Sequence, residues 1–155
     1  MATQTQYIIP PLGKIWDKLG GYTWAFLRIC MGLWYVPHGM QKLFGMIGGG
    51  GLSGTAGFLD KVGYTPGIFW ATLIGCTEFF GGILLAIGLL TRPVAGMFVI
   101  FMYVAAFHFN INNGYFWTKP GGGMEMPLLL LAIALVILVR GGGEYSLDRK
   151  LGREF

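Results

Sequence analysis

The sequence predicts an all-α membrane protein: a bundle of four transmembrane helices with a short interfacial helix ahead of the first. Three observations carry this. Of 155 residues, 54% are apolar and only 12% charged, too little charge to cover a soluble domain of that size. Four apolar runs approach or exceed the roughly 20 helical residues needed to cross a hydrocarbon core. The 11 Lys and Arg, set against 7 Asp and Glu, cluster beside those runs as membrane anchors do. That placement argues for a lipid bilayer as partner and against a nucleic acid.

The runs lie near residues 22–44, 68–90, 93–110 and 124–139 of what reads as a single domain, 1–155. Ahead of the first, Leu12, Ile15, Trp16 and Leu19 recur at helical spacing, with Lys14, Asp17 and Lys18 on the other face. That is the pattern of an interfacial helix. Residues 1–20 lack the apolar core and cleavage site of a signal peptide, so Met1 is expected to belong to the mature chain. The first connection, 45–67, holds four consecutive glycines from Gly48 to Gly51, and a short helix is predicted within it over 55–62.

Thr91-Arg92-Pro93 leaves room only for a tight turn, which makes the second and third runs antiparallel neighbours. Pro93 suits the first turn of a helix. The third connection, 111–123, carries Tyr115, Phe116 and Trp117, residues that favour the headgroup layer. The fourth run is shortest: 16 residues at about 1.5 Å each cover about 24 Å, and Arg140 is expected to snorkel to the interface.

Orientation follows from the basic residues in the short flanks and loops. Lys14, Lys18, Arg92, Arg140, Arg149, Lys150 and Arg153 lie on the side of the termini, and Lys42, Lys61 and Lys119 on the other. Seven against three predicts a multi-pass inner (cell) membrane protein with both termini in the cytoplasm.

Ionisable groups inside spanning helices are costly, by about 2.5–3.5 kcal/mol at the centre, and normally have a partner or a task. Glu78 sits near the middle of the second run. On the first, Arg28, Tyr35 and Lys42 recur every seven residues, with Met31, Gly32, His38 and Gly39 close to the same face. On the second, Ala71, Gly75, Glu78, Gly82 and Leu85 share a face whose small residues admit a neighbouring backbone. Arg28 is therefore expected to pair with Glu78. The alternation of helix direction is expected to gather His38, Lys42, His108, Asn110 and Glu125 in the outer half. Such groups serve chemistry or merely lock helices together, and both readings stand at this stage.

No metal site is predicted: neither Glu78 nor Glu125 has a His three residues later, as di-iron bundles require. A single ion on His38, His108 and Glu125 is the one open alternative. Cys30 and Cys76 lie within apolar runs without metal-like spacing and read as small buried hydrophobes.

Several short segments, in this order, resemble one family. They are Arg28 with His38-Gly39-x-x-Lys42-Leu43, Glu78-Phe79-Phe80-Gly81-Gly82 leading to Gly88-Leu89-x-Thr91-Arg92, His108, Gly122-Gly123-x-Glu125, and Gly141-Gly142-Gly143-x-Tyr145-Ser146-Leu147-Asp148. The chain thereby resembles the DoxX family of small four-helix membrane proteins, whose relatives include the membrane subunit of thiosulfate:quinone oxidoreductase.

The resemblance implies a subunit of a quinone-linked respiratory or sulfur-oxidising membrane complex, with other subunits as partners and a quinone as cofactor. Reducing a quinone needs proton donors beside an apolar slot. Glu78, His38 and His108 are the candidates for that task, and Arg28, Lys42 and Glu125 for binding, with the cations stabilising developing negative charge. No flavin, haem or iron–sulfur motif is visible, so electrons would come from another chain or a small reductant. The alternative is a non-catalytic structural or assembly subunit packed against a larger membrane complex.

Overall fold

A computed structural model describes residues 7–154. Among them every regular element is helical. Six α-helices follow one another: α1 Pro10–Phe44, α2 Gly51–Lys61, α3 Gly67–Ile87, α4 Thr91–Phe109, α5 Glu125–Arg140 and α6 Leu147–Lys150, with a 3-10 turn at Ile111–Asn113. Two of them, α3 and α4, are long and apolar enough to cross a membrane.

The separate interfacial helix expected before residue 22 is not there. Its residues form the first turns of one 35-residue helix, α1. Gly20 and Gly21, where the two segments join, cost about 1 kcal/mol each relative to Ala, which disfavours but does not end a helix. Pro10 and Pro11 stand in its first turn, where a missing N–H costs nothing. Pro37 lies within it, a position that membrane helices tolerate. The other boundaries fall within a few residues of expectation, including α2 in the glycine-rich connection.

α3 and α4 each contain one wider π-type turn, Thr77–Gly81 and Ala105–Phe109. Between these helices the chain reverses over three residues, with Gly88 and Leu90 in the left-handed region. A core of Trp24, Met31, Tyr35, Leu85, Ala95, Phe98, Met102, Ala134 and Ile137 joins α1, α3, α4 and α5. A smaller cluster, Ala56, Leu59 and Ala71, seats α2 on α3. Outside these cores the chain exposes large apolar residues on every long helix, such as Phe26, Leu33, Phe69, Ile100 and Val139. An apolar exterior of that extent needs a lipid or protein covering.

α1 and α3 meet backbone to backbone. A Cβ placed on Gly32 would lie 2.6 Å from the Ala86 nitrogen, one on Gly39 2.6 Å from the Phe79 Cα, and one on Gly82 2.7 Å from the Gly32 oxygen. Gly32→Ala is therefore expected to destabilise the bundle by about 1–3 kcal/mol through overpacking. Gly54→Ala, on α2 with nothing within 4 Å, should be neutral or slightly stabilising. Thermal unfolding of both variants in the same detergent checks this, and equal effects would rule out the close contact.

Candidate functional site

Polar side chains gather at two levels of the bundle. At the level of the termini, Arg28 is 1% exposed and donates to the Leu85 carbonyl at 3.0 Å and the Tyr145 carbonyl at 2.8 Å. Asp148, equally buried, accepts from the Leu90 and Thr91 N–H groups at 2.8 and 2.9 Å. Its own N–H donates to the Gly88 carbonyl at 2.9 Å. Trp24 Nε1 donates to the Gly141 carbonyl at 3.0 Å, and the Arg140 guanidinium sits 4.6 Å above the Trp24 ring. The segment 141–148 thus folds back as a clamp over the middle of α1, the end of α3 and the start of α4.

This corrects the expected pairing of Arg28 with Glu78. The carboxylate's partner is Lys42, with Nζ 2.6 Å from Oε2. Arg28 lies nearly four helical turns farther toward the termini than Lys42 on α1, where the end of α3 and the C-terminal clamp offer carbonyls. Arg28 and Lys42 share a face of α1, but the crossing of α1 over α3 at Gly39 and Phe79 sets Lys42, not Arg28, beside Glu78.

Glu78, in the π-type turn of α3 and 6% exposed, separates two hollows. One, of about 270 Å³, is lined by Tyr35 and His38 from α1, Glu78 from α3, and otherwise by apolar side chains including Met102, Met126 and Leu130. The other, of about 260 Å³, has Lys42 and Glu78 in its wall and Tyr64, Trp70, Phe101 and Phe109 around it. Met102 and Ala105 line both. Tyr35 is 2% exposed and stacks on Phe98 at 3.9 Å between ring centroids. Its hydroxyl finds no hydrogen-bond partner among the described residues, an arrangement that costs about 1–3 kcal/mol unless something fills the need.

Of the predicted site residues, His38 and Glu78 share the first hollow, and Lys42 joins Glu78 from the second. His108 does not reach them: it is exposed, edge-on to Tyr64 and Phe109. Glu125 closes the 111–123 connection instead, its carboxylate accepting from the Trp117 N–H at 3.3 Å and its own N–H donating to the Tyr115 carbonyl. Asn110 bonds back to the Ala105 carbonyl. The convergence of His38, His108 and Glu125 is therefore absent, because the π-type turn at Ala105–Phe109 rotates the end of α4 outward and the loop claims Glu125. Among the described residues no three His, Cys, Asp or Glu are grouped as a metal ion would need. The functional candidate missing from the sequence reading is Tyr35, although its place midway between Arg28 and Lys42 on one face was a usable signal.

Fold and site together define a small α-helical membrane protein with three polar residues at a largely apolar hollow inside its bundle. The chain belongs to the DoxX family: the family model, described as DoxX, matches residues 23–111, over half of its length. It is 30% identical over 139 residues to an uncharacterised protein of Haemophilus influenzae, covering 86% of this chain and 94% of the relative. It is also 30% identical to inner membrane protein YqjF of Escherichia coli, covering 83% and 91%. CatD of Bacillus subtilis, whose name assigns it provisionally as an oxidoreductase, is 28% identical, covering 79% and 81%. No solved structure matches the chain.

The geometry makes a test of pairing direct. Lys42→Met with Glu78→Gln should show a coupling of about 0.5–3 kcal/mol in a thermal double-mutant cycle, as residues in contact do. Arg28→Met with Glu78→Gln should be additive. The reverse pattern would restore the Arg28–Glu78 pair.

Proposed function

We propose that the chain is a four-span, quinone-binding subunit of a membrane oxidoreductase complex, with the Tyr35–His38–Glu78 pocket as the quinone headgroup site. The observation that carries this reading is that Tyr35, whose buried hydroxyl has no hydrogen-bond partner among the described residues, lines the same hollow as His38 and Glu78. A buried polar atom left unsatisfied inside a membrane bundle is expensive, and a carbonyl oxygen of a quinone ring is an acceptor it lacks. His38 and Glu78 complete a set of three polar groups around an apolar slot, the composition expected of a small-molecule site. The oxidoreductase name of the Bacillus relative points in the same direction.

The bound quinone would take up two electrons and two protons. The chain's own residues have separable tasks in that event. Tyr35 donates a hydrogen bond that orients one carbonyl. His38 and Glu78 hold protons where they are needed. Lys42, at 2.6 Å from Glu78, offsets the negative charge near that carboxylate. Electrons come from a partner subunit or a small reductant. Arg28, His108 and Glu125 lie outside this machinery and serve the clamp, the aromatic cluster and the loop.

In this reading α1 and α5 are the remaining two spans, since they flank α3 and α4 and present the same apolar exterior. The termini are cytoplasmic, from the seven-to-three basic asymmetry. A single cysteine at Ser53, in a Cys30→Ser, Cys76→Ser background, should react with an impermeant maleimide added from outside sealed cells. Reaction only after lysis would invert the topology.

Binding supplies the functional test. Tyr35→Phe and His38→Ala should each weaken a short-chain quinone analogue by about three- to tenfold, the equivalent of a hydrogen bond of about 0.7–1.4 kcal/mol, with unfolding temperature little changed. His108→Ala should leave binding alone. If the intact protein in nanodiscs binds no analogue, the assembly-subunit alternative replaces this one.

A further inference from the structure

The headgroup pocket does not end at its apolar wall. Trp34, Met126 and Leu130, which line it, also line a second hollow of about 190 Å³ between α1 and α5. That hollow continues toward the termini past Cys30 and Leu129 to Leu27 and Ile133, and its lining contains no charged group. It exists because α1 and α5 scarcely touch, each packing mainly on α3 or α4. From His38 to Leu27 the seam follows eleven residue steps of α1, about 16 Å at about 1.5 Å each.

From this continuity, and resting on the quinone reading above, we infer that the α1–α5 seam is a tail groove and that the ligand class is a quinone bearing a long isoprenoid chain. Lipid acyl chains are as apolar as the groove, so an apolar occupant gains no transfer energy by entering it from the bilayer. Packing alone does not favour one chain over another strongly. What distinguishes a tailed quinone is that its ring is held at one end by Tyr35 and His38, so its tail enters the groove as an intramolecular event at high effective concentration. A phospholipid has no ring to hold there, and a tail-less quinone leaves the groove to lipid. Because the groove lies open along its side, a chain longer than about 16 Å passes into the bilayer without threading.

The test uses the full chain in phosphatidylcholine nanodiscs and a long-tailed quinone carrying a diazirine on its tail. After photolysis, mass spectrometry should place adducts on Leu27, Cys30, Leu129 or Ile133, and unlabelled long-tailed quinone should suppress them. A tail-less analogue should compete by displacing the ring. Cys30→Trp, which fills the groove on an exposed face, should weaken the long-tailed quinone several-fold and leave the tail-less analogue unchanged. Adducts scattered over the bundle, or equal labelling by a diazirine-tailed phospholipid that the quinone does not displace, would overturn the tail groove while the headgroup site stands. Absence of binding by the tail-less analogue to the wild-type chain would instead overturn the quinone reading itself.

Discussion

Where α1 crosses α3 there is no side chain between the two backbones, and the rest of the bundle is arranged around that contact. Gly32 and Gly39 on one helix and Gly82 on the other let the main chains touch, the way helices associate when lipid removes the hydrophobic drive between them. Once that crossing is set, the heptad of polar residues on α1 is distributed along α3 at fixed heights. Arg28 falls level with the Leu85 carbonyl and Lys42 level with Glu78. Tyr35, between them, falls against Phe98 of α4.

The low-dielectric interior then decides how each of these groups is satisfied. Buried backbone and side-chain polar atoms must find partners within the protein. At the level of the termini the chain provides them with its own C-terminal segment. Gly141 and Tyr145 supply carbonyls to Trp24 and Arg28, and Asp148 supplies a carboxylate to the reversal after α3. The left-handed conformations at Gly88 and Gly143 bring these backbones close enough for that exchange, with Arg28 and Trp24 occupying the space that side chains there would fill. Segments 88–92 and 141–148 are thus two halves of one clamp.

Among the described residues the rule leaves a remainder at both levels, Arg28 Nε and Thr91 Oγ1 at the clamp and the Tyr35 hydroxyl at the other. Lys42 and Glu78 satisfy each other, while the Tyr35 hydroxyl stays without a partner beside His38. Both π-type turns of the molecule lie at this level, and Glu78 and Ala105, one from each, face the two hollows on either side. Wider turns of this kind recur at functional sites. Here the turn in α3 holds both Phe79, in backbone contact with Gly39 of α1, and Glu78, which borders the two hollows.

Much of this was legible in one dimension. Apolar runs and flanking basic residues identified a helical membrane protein because the bilayer imposes length and composition directly on sequence. The small residues of α1 and α3 identified the facing surfaces because close approach requires them whatever the partner. The order and spacing of short segments resembled the DoxX family, to which the family model assigns the chain. Sequence could not decide which ion pairs form. Arg28 and Lys42 lie on the same face of α1, and the choice of Lys42 for Glu78 depends on the height at which Gly39 meets Phe79. Nor could it show that α4 turns His108 outward, since a π-type turn shifts side-chain direction without a residue type that announces it. Glu125 and Asp148 were taken by loops whose path no helical period describes. The hollow beside Tyr35 and the seam beyond it are spaces between helices, and a space is determined only when every helix around it has been put in place.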